Sequence, residues 1–195
     1  MRILTVLILV LFTALVSEMS PRNDKILRAA EINQFSSNPV ERLENPDREI
    51  RNWMSHGRSY SEQRYSPLKQ VNDTNVSKLG FAWYYDLDDH NVVEATPIVV
   101  DGIMYVTGAM GKVYAMEATT GREIWYFDPR VPPKTLVLAC CQPVNRGVAF
   151  WKDKVFVGAL DGRLIALDAQ SGEKVWERMT TDPTKPYTIT GAPRV

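Results

Sequence analysis

The chain has 195 residues, with 23 Lys and Arg balanced by 23 Asp and Glu and a hydrophobic content of 45%. Balanced charge provides no field to attract a polyanion, which argues against a nucleic-acid partner. Its two histidines, His56 and His90, lie far apart and its two cysteines are adjacent, so no Cys/His metal-ligand spacing exists. His56 reads as a surface or loop side chain.

Arg2 precedes Ile3 to Val16, which is apolar apart from Thr5 and Thr13. A basic residue ahead of an apolar run of this length predicts a signal peptide over residues 1–17, and the run is short for a spanning helix. No Ala-x-Ala pattern marks a cleavage site, so an uncleaved anchor with inner-membrane association stays an alternative. Export would deliver the mature chain, residues 18–195, to the periplasm, an oxidising compartment.

A repeat dominates the second half. Gly111 to Trp125 reads GKVYAMEATTGREIW and Gly162 to Trp176 reads GRLIALDAQSGEKVW, matching at Gly, Ala, Ala, Gly and Trp with a period of 51. A repeat of this length predicts one supersecondary unit per period, as in a propeller or solenoid. The first unit reads as strands Ala95–Val100, Ile103–Thr107, Lys112–Glu117 and Arg122–Phe127. Its turns fall at Asp101-Gly102, Gly108–Gly111 and Thr119-Thr120-Gly121. Asp-Gly suits a two-residue type I′ hairpin, and the alternation of Val113, Ala115 and Glu117 predicts a strand buried on one face. The second unit reads as Gly147–Trp151, Lys154–Ala159, Arg163–Asp168 and Glu173–Glu177, turning at Asp161-Gly162 and Ser171-Gly172. From residue 92 onward no helical periodicity is present.

These units predict an all-β fold of antiparallel four-stranded blades stacked as a β-propeller. Trp125 and Trp176 are predicted to plug the gaps between neighbouring blades and to have no catalytic role. Thr190-Gly191-Ala192-Pro193 resembles Glu94-Ala95-Thr96-Pro97 and opens a third unit. About two blades and the start of a third are therefore expected, as the amino-terminal fragment of a longer protein.

Between the units stand Cys140 and Cys141, followed by Arg146. Adjacent alpha carbons lie about 3.8 Å apart, closer than an ordinary disulfide accepts, so a bond between them would close a strained ring. Two unlinked thiols in a loop are the alternative.

Six stretches together resemble the quinoprotein alcohol dehydrogenases, the methanol and ethanol dehydrogenases that use pyrroloquinoline quinone (PQQ). They are Trp53–Leu68, Val76–Leu87, the blade opening at Glu94, Cys140-Cys141 with Asn145-Arg146-Gly147, the GALDGRLIALDAQSG repeat, and Tyr187–Val195. The blade repeat is shared by many propellers; the adjacent cysteines combined with Asn-Arg-Gly and Thr-Gly-Ala-Pro are far more specific. The resemblance implies an eight-bladed propeller with PQQ in its central funnel beside calcium or a lanthanide. It implies that Cys140 and Cys141 form a vicinal disulfide packed on the quinone face. It implies that Arg146 pairs with a cofactor oxygen, that Glu94 reaches the cofactor edge and that Thr190 binds a cofactor carboxylate. Met110-Gly111 and Gln142-Pro143 depart from the family pattern, which commonly has Trp-Ser and Asp-Val there.

The implied reaction is oxidation of a small primary alcohol to an aldehyde, with electrons passed to a cytochrome c. The metal ligands and the aspartate base are expected beyond Val195, so none is assigned within this chain. The competing reading is a non-catalytic periplasmic propeller serving as an interaction scaffold, which would need the blade repeat but not the cysteines and Arg146.

Overall fold

Hairpin turns set the architecture of the chain, seen in a computed structural model that describes residues 38–87, 91–139 and 142–195. Residues 1–37, which include the expected signal peptide, lie outside the described residues. Asp101 and Gly102 both have positive φ, 51° and 84°. That geometry matches the right-handed twist of the flanking strands and returns the chain on itself.

Strands β1 (Ile98–Val100), β2 (Ile103–Thr107), β3 (Val113–Glu117) and β4 (Glu123–Phe127) form one sheet. Strands β5 (Ala149–Trp151), β6 (Lys154–Gly158), β7 (Arg163–Asp168) and β8 (Lys174–Met179) form a second, and both are sequential antiparallel meanders. The period of 51 persists in the register. Tyr105 opposes Ala115 and Phe156 opposes Ala166; Ala115 opposes Trp125 and Ala166 opposes Trp176. Even the register shift recurs, after Ala115 and after Ala166.

Three features differ from the sequence expectation. The innermost strands begin later, at Ile98 and Ala149; before the first of them, Pro97 has no N–H to donate and the Thr96 N–H goes to the Arg146 carbonyl instead. Strand β3 is buried on both faces, since Tyr114 and Met116 pack beneath Trp83, Tyr85 and Leu87. Short 3-10 turns occupy Ala109–Gly111 and Pro133–Leu138. Pieces this short have no apolar face to advertise in a helical period.

The main core lies between the sheets. Ile98, Val100, Tyr105, Val113 and Trp125 meet Phe150, Val155, Val157, Ile165 and Leu167. Trp125 locks this interface: its indole N–H donates to the Ala169 carbonyl at 2.9 Å, and its ring lies over Gly172. Trp83 makes the same contact one period earlier, donating to the Ala118 carbonyl at 3.1 Å with its ring against Gly121. Trp176 makes no such contact among the described residues; it is 40% exposed and tilts against Phe156.

An amino-terminal arm braces the first sheet. Helix α1 (Pro39–Glu44) starts at Asn38, whose side chain accepts the Val40 N–H, with proline in the first turn. Arg42 from α1 bonds both Glu49 and Asp101, while Asn52 accepts the Asp101 N–H. Burial opposes the Arg42 charge, but the bonds to Asp101 and Glu49 outweigh it and raise its pKa above the ordinary arginine value. Farther along, Trp53 pairs with Val99 through two backbone bonds. His56 sits in a turn of this arm, with Arg64 Nη2 at 2.7 Å from its Nε2. Partial burial, then the charge of Arg64, push its pKa below the ordinary histidine value.

A methyl group on Gly172 would lie 2.6 Å from the Trp125 ring, at a backbone φ of +74°. Gly102 has φ +84° but open space around it. Gly102→Ala is therefore expected to cost about 1 kcal/mol, from the left-handed backbone alone. Gly172→Ala is expected to cost about 2–4 kcal/mol, because displacing the indole adds to it. Denaturant unfolding of the two variants separates the terms; equal losses would remove the Trp125 interlock as a source of stability.

Candidate functional site

Alternation of strand direction brings several connections to one end of the sheets. There stand the starts of β1 and β5, the β2–β3 turn, and the crossing from β4 to β5. Glu94 precedes β1 and Arg146 precedes β5 by a few residues each, and Thr190 lies within the segment after β8. These three residues come together. Arg146 Nη2 lies 2.9 Å from Glu94 Oε2, and Arg146 Nη1 donates to Thr190 Oγ1 at 2.8 Å. The backbone repeats the pattern: the Thr96 N–H bonds the Arg146 carbonyl, and the Arg146 N–H bonds the Thr190 carbonyl. One arginine thus spans three consecutive repeat units.

The Arg146 and Glu94 side chains are 43% and 44% exposed. An ion pair so open to water contributes little to stability. Its effect is geometric, holding a planar cation in one orientation at the mouth of the sheets.

What fixes Arg146 is its neighbour. Asn145 is 2% exposed and uses both ends of its amide: Nδ2 donates to the Gly158 carbonyl at 2.8 Å and Oδ1 accepts the Gly147 N–H at 3.0 Å. Its own carbonyl accepts from the buried Thr107 hydroxyl at 3.3 Å. Gly147, with φ +131°, lets the chain pass against the Thr96 carbonyl, where a methyl group would sit at 3.0 Å. In Asn-Arg-Gly, then, the first residue anchors inward, the second projects, and the third permits close approach.

The crossing that carries this motif is tied down as well. The Met110 N–H donates to the Pro143 carbonyl at 2.7 Å, and Met110 itself has φ 62°. Both departures from the family pattern noted in the sequence therefore meet at one hydrogen bond. Cys140 and Cys141 lie outside the described residues. Among the described residues, no three His, Cys, Asp or Glu side chains cluster as metal ligands.

With this geometry in hand, the comparisons are direct. Residues 53–178 match the family described as PQQ, glucose/ethanol/alcohol dehydrogenase, beta-propeller domain. The chain belongs to this family. It is 59% identical over 150 residues to the quinohemoprotein alcohol dehydrogenase ADH-IIG of Pseudomonas putida, covering 76% of this chain and 21% of that protein. It is 54% identical over 144 residues to the 1-butanol dehydrogenase (cytochrome c) of Thauera butanivorans, covering 73% and 21%. Among solved structures, ADHIIG of Pseudomonas putida HK5 superposes with a TM-score of 0.78 at 57% identity, covering 79% of this chain and 23% of that one. A europium-containing methanol dehydrogenase gives 0.75 at 37% identity, covering 80% and 27%. The chain spans about a fifth of the length of the curated relatives it matches. The all-β propeller reading of the sequence is thereby borne out.

Sequence reasoning missed Asn145 as the anchor and Trp83 as an interlocking residue. Trp83 had a signal: Trp83-Tyr84-Tyr85-Asp86 parallels Trp125-Tyr126-Phe127-Asp128. For Asn145 the only signal was its place beside Arg146, because buried amide bonding leaves no period in a sequence.

Asn145→Ala would strand the Gly158 carbonyl and the Gly147 N–H in a buried setting. A stability loss of about 2–4 kcal/mol is expected, read from denaturant unfolding. An unchanged midpoint would mean that water or a shifted backbone satisfies both groups.

Proposed function

We propose that Glu94, Arg146 and Thr190 form part of the rim of a PQQ pocket in a periplasmic alcohol dehydrogenase. The single observation that carries this reading is the spanning of three repeat units by the Arg146 guanidinium. The residues fit the cofactor. PQQ is a flat, anionic ortho-quinone, and a guanidinium has five N–H donors in a plane, so donors remain beyond the bonds to Glu94 and Thr190. Thr190 adds a hydroxyl beside that cation. Such a cation and hydroxyl pair suits a carboxylate or a quinone oxygen, where charge-assisted bonds are stronger than neutral ones.

When bound, the quinone supplies the electron acceptor for oxidation of a small primary alcohol to an aldehyde. The described residues bind and orient rather than move protons. Asn145 and Gly147 hold the Arg146 backbone, Glu94 sets the guanidinium plane, and Thr190 closes the far side. Preorganisation of this kind lowers the ordering cost of binding. Cys140 and Cys141, as a vicinal disulfide, would offer a stiff wall to the quinone face. We place calcium or a lanthanide beside the quinone, on ligands beyond Val195 together with the aspartate base. The europium-containing methanol dehydrogenase among the similar structures supports a metal of that kind.

A cytochrome c is the proposed electron acceptor, supported by the quinohemoprotein relatives and by the Thauera enzyme named for it. Export through residues 1–17 is part of the same reading, supported by the apolar run Ile3 to Val16. A scaffold role without cofactor gives no reason for Arg146 to reach into both neighbouring units.

In the full-length protein, Arg146→Ala is expected to weaken PQQ binding by about 10- to 100-fold, the loss of one or two charge-assisted bonds. Equilibrium titration of apoprotein with PQQ measures it. Unchanged affinity, with folding intact, would remove Arg146 from the pocket.

A further inference from the structure

We propose that neutral His56, acting through Arg64 and Glu62, is a positioning residue for the Thr190 side of the pocket rim, and that its protonation releases that side. This deepens the reading of Arg146 and its neighbours as a PQQ pocket and rests on it. The juxtaposition that carries it is a turn of the amino-terminal arm set against the same three units that Arg146 spans. Trp53 pairs with Val99, shortly after Glu94. Met54 and His56 line a small cavity with Val148 and Ala149, just after Arg146, and with Pro193, just after Thr190. Glu62 pairs with Arg194, beside that proline. Residues 53–62 thus tie together the opening residues of all three units, close to the rim.

Donor and acceptor chemistry fixes the state of His56. Arg64 Nη2 lies 2.7 Å from His56 Nε2. A guanidinium only donates, so Nε2 accepts and the ring proton is on Nδ1, in a neutral imidazole. Nδ1 is buried and has no partner among the described residues. A proton added to Nε2 would face the Arg64 donor and set a second cation against the first. Arg64 and Glu62 on the arm and Arg194 on the third unit are the charges that act on the ring. Tyr60 also lines the cavity, and the start of β5 presents only the uncharged Val148 and Ala149. Partial burial is the largest influence lowering the His56 pKa, followed by Arg64, with Glu62 opposing them and Arg194 adding to them.

Glu62 couples the ring to the rim. Its backbone has φ 55° and that of Arg64 has φ 53°, left-handed conformations that such residues keep only where their surroundings hold them. Its carboxylate is folded over Gly57, where a methyl group would lie 2.6 Å from Oε2, and from there it accepts from Arg194. With His56 charged, three cations would compete for this one carboxylate, and its bond to Arg194 would weaken. Arg194 shares a short segment with Thr190, whose carbonyl and hydroxyl bond Arg146. Loosening Arg194 therefore loosens the Thr190 contact. A quinone that needs that contact binds only the fraction of molecules still latched.

The folded-state pKa of His56 lies below its unfolded value of about 6.5. Its contribution is therefore complete above that value and is lost as pH falls below it.

The test uses full-length apoprotein, wild type and His56→Gln, at about pH 7.5 and about pH 5, on either side of the ordinary histidine range. Glutamine keeps an acceptor for Arg64 and a donor, but has no charge to gain. Between the two pH values, wild type should lose about 5- to 10-fold more PQQ affinity than His56→Gln, and its cofactor-free thermal midpoint should fall further. Glu62→Gln should bind PQQ about 5- to 10-fold more weakly than wild type at the higher pH. Matching midpoint losses in wild type and His56→Gln would overturn the latch. A midpoint difference with parallel affinity losses, or unchanged affinity in Glu62→Gln, would overturn the positioning of Thr190. Failure of the pocket reading shows separately, as an Arg146→Ala variant that binds PQQ like wild type. The positioning role then falls with it, and the midpoints still decide the latch.

Discussion

The seating of an indole on a glycine of the next sheet is the constraint from which the rest follows. Trp125 fills the space where Gly172 has no side chain and bonds the Ala169 carbonyl, and this fixes how far apart the two sheets stand. The spacing of the sheets sets the spacing of their innermost strands. Only because those strands start close together does the Thr96 N–H reach the Arg146 carbonyl, and the Arg146 N–H reach the Thr190 carbonyl. The side chains inherit that ladder. Arg146 spans Glu94 and Thr190 because packing far from the site has already brought them within reach.

The site combines a rigid base with an open rim. Asn145, Thr107 and Gly147 are bound or packed on all sides, whereas the guanidinium and the Glu94 carboxylate remain close to half exposed. Such a division suits a binding site. Buried polar bonds hold geometry because leaving them unmade is costly, while the exposed charges are weakly committed to each other and available to a ligand.

Much of this was legible in the sequence, for a physical reason. A repeat of 51 residues constrains strands, turns and register at once, so matching Gly111–Trp125 with Gly162–Trp176 located two strands of each sheet. Asp101-Gly102 named its turn because few other pairs adopt two positive φ values cheaply. Glu94, Arg146 and Thr190 were found through resemblance, and their meeting is a tertiary fact that spacing alone does not contain. The second buried face of β3 was missed because the covering residues, Trp83, Tyr85 and Leu87, lie before the repeat begins. The arm built on Arg42, Glu49 and Asp101 was missed because ion pairs between distant residues leave no local pattern.

The central claim is that one arginine, held by a buried asparagine and flanked by residues from the adjoining units, faces a bound quinone. A crystal structure of the full-length protein with PQQ tests it most directly. The account predicts quinone density with an oxygen within hydrogen-bonding distance of Arg146, and a second polar contact at Thr190. Quinone density elsewhere in the molecule, with Arg146 still paired to Glu94 and touching no cofactor atom, would contradict it.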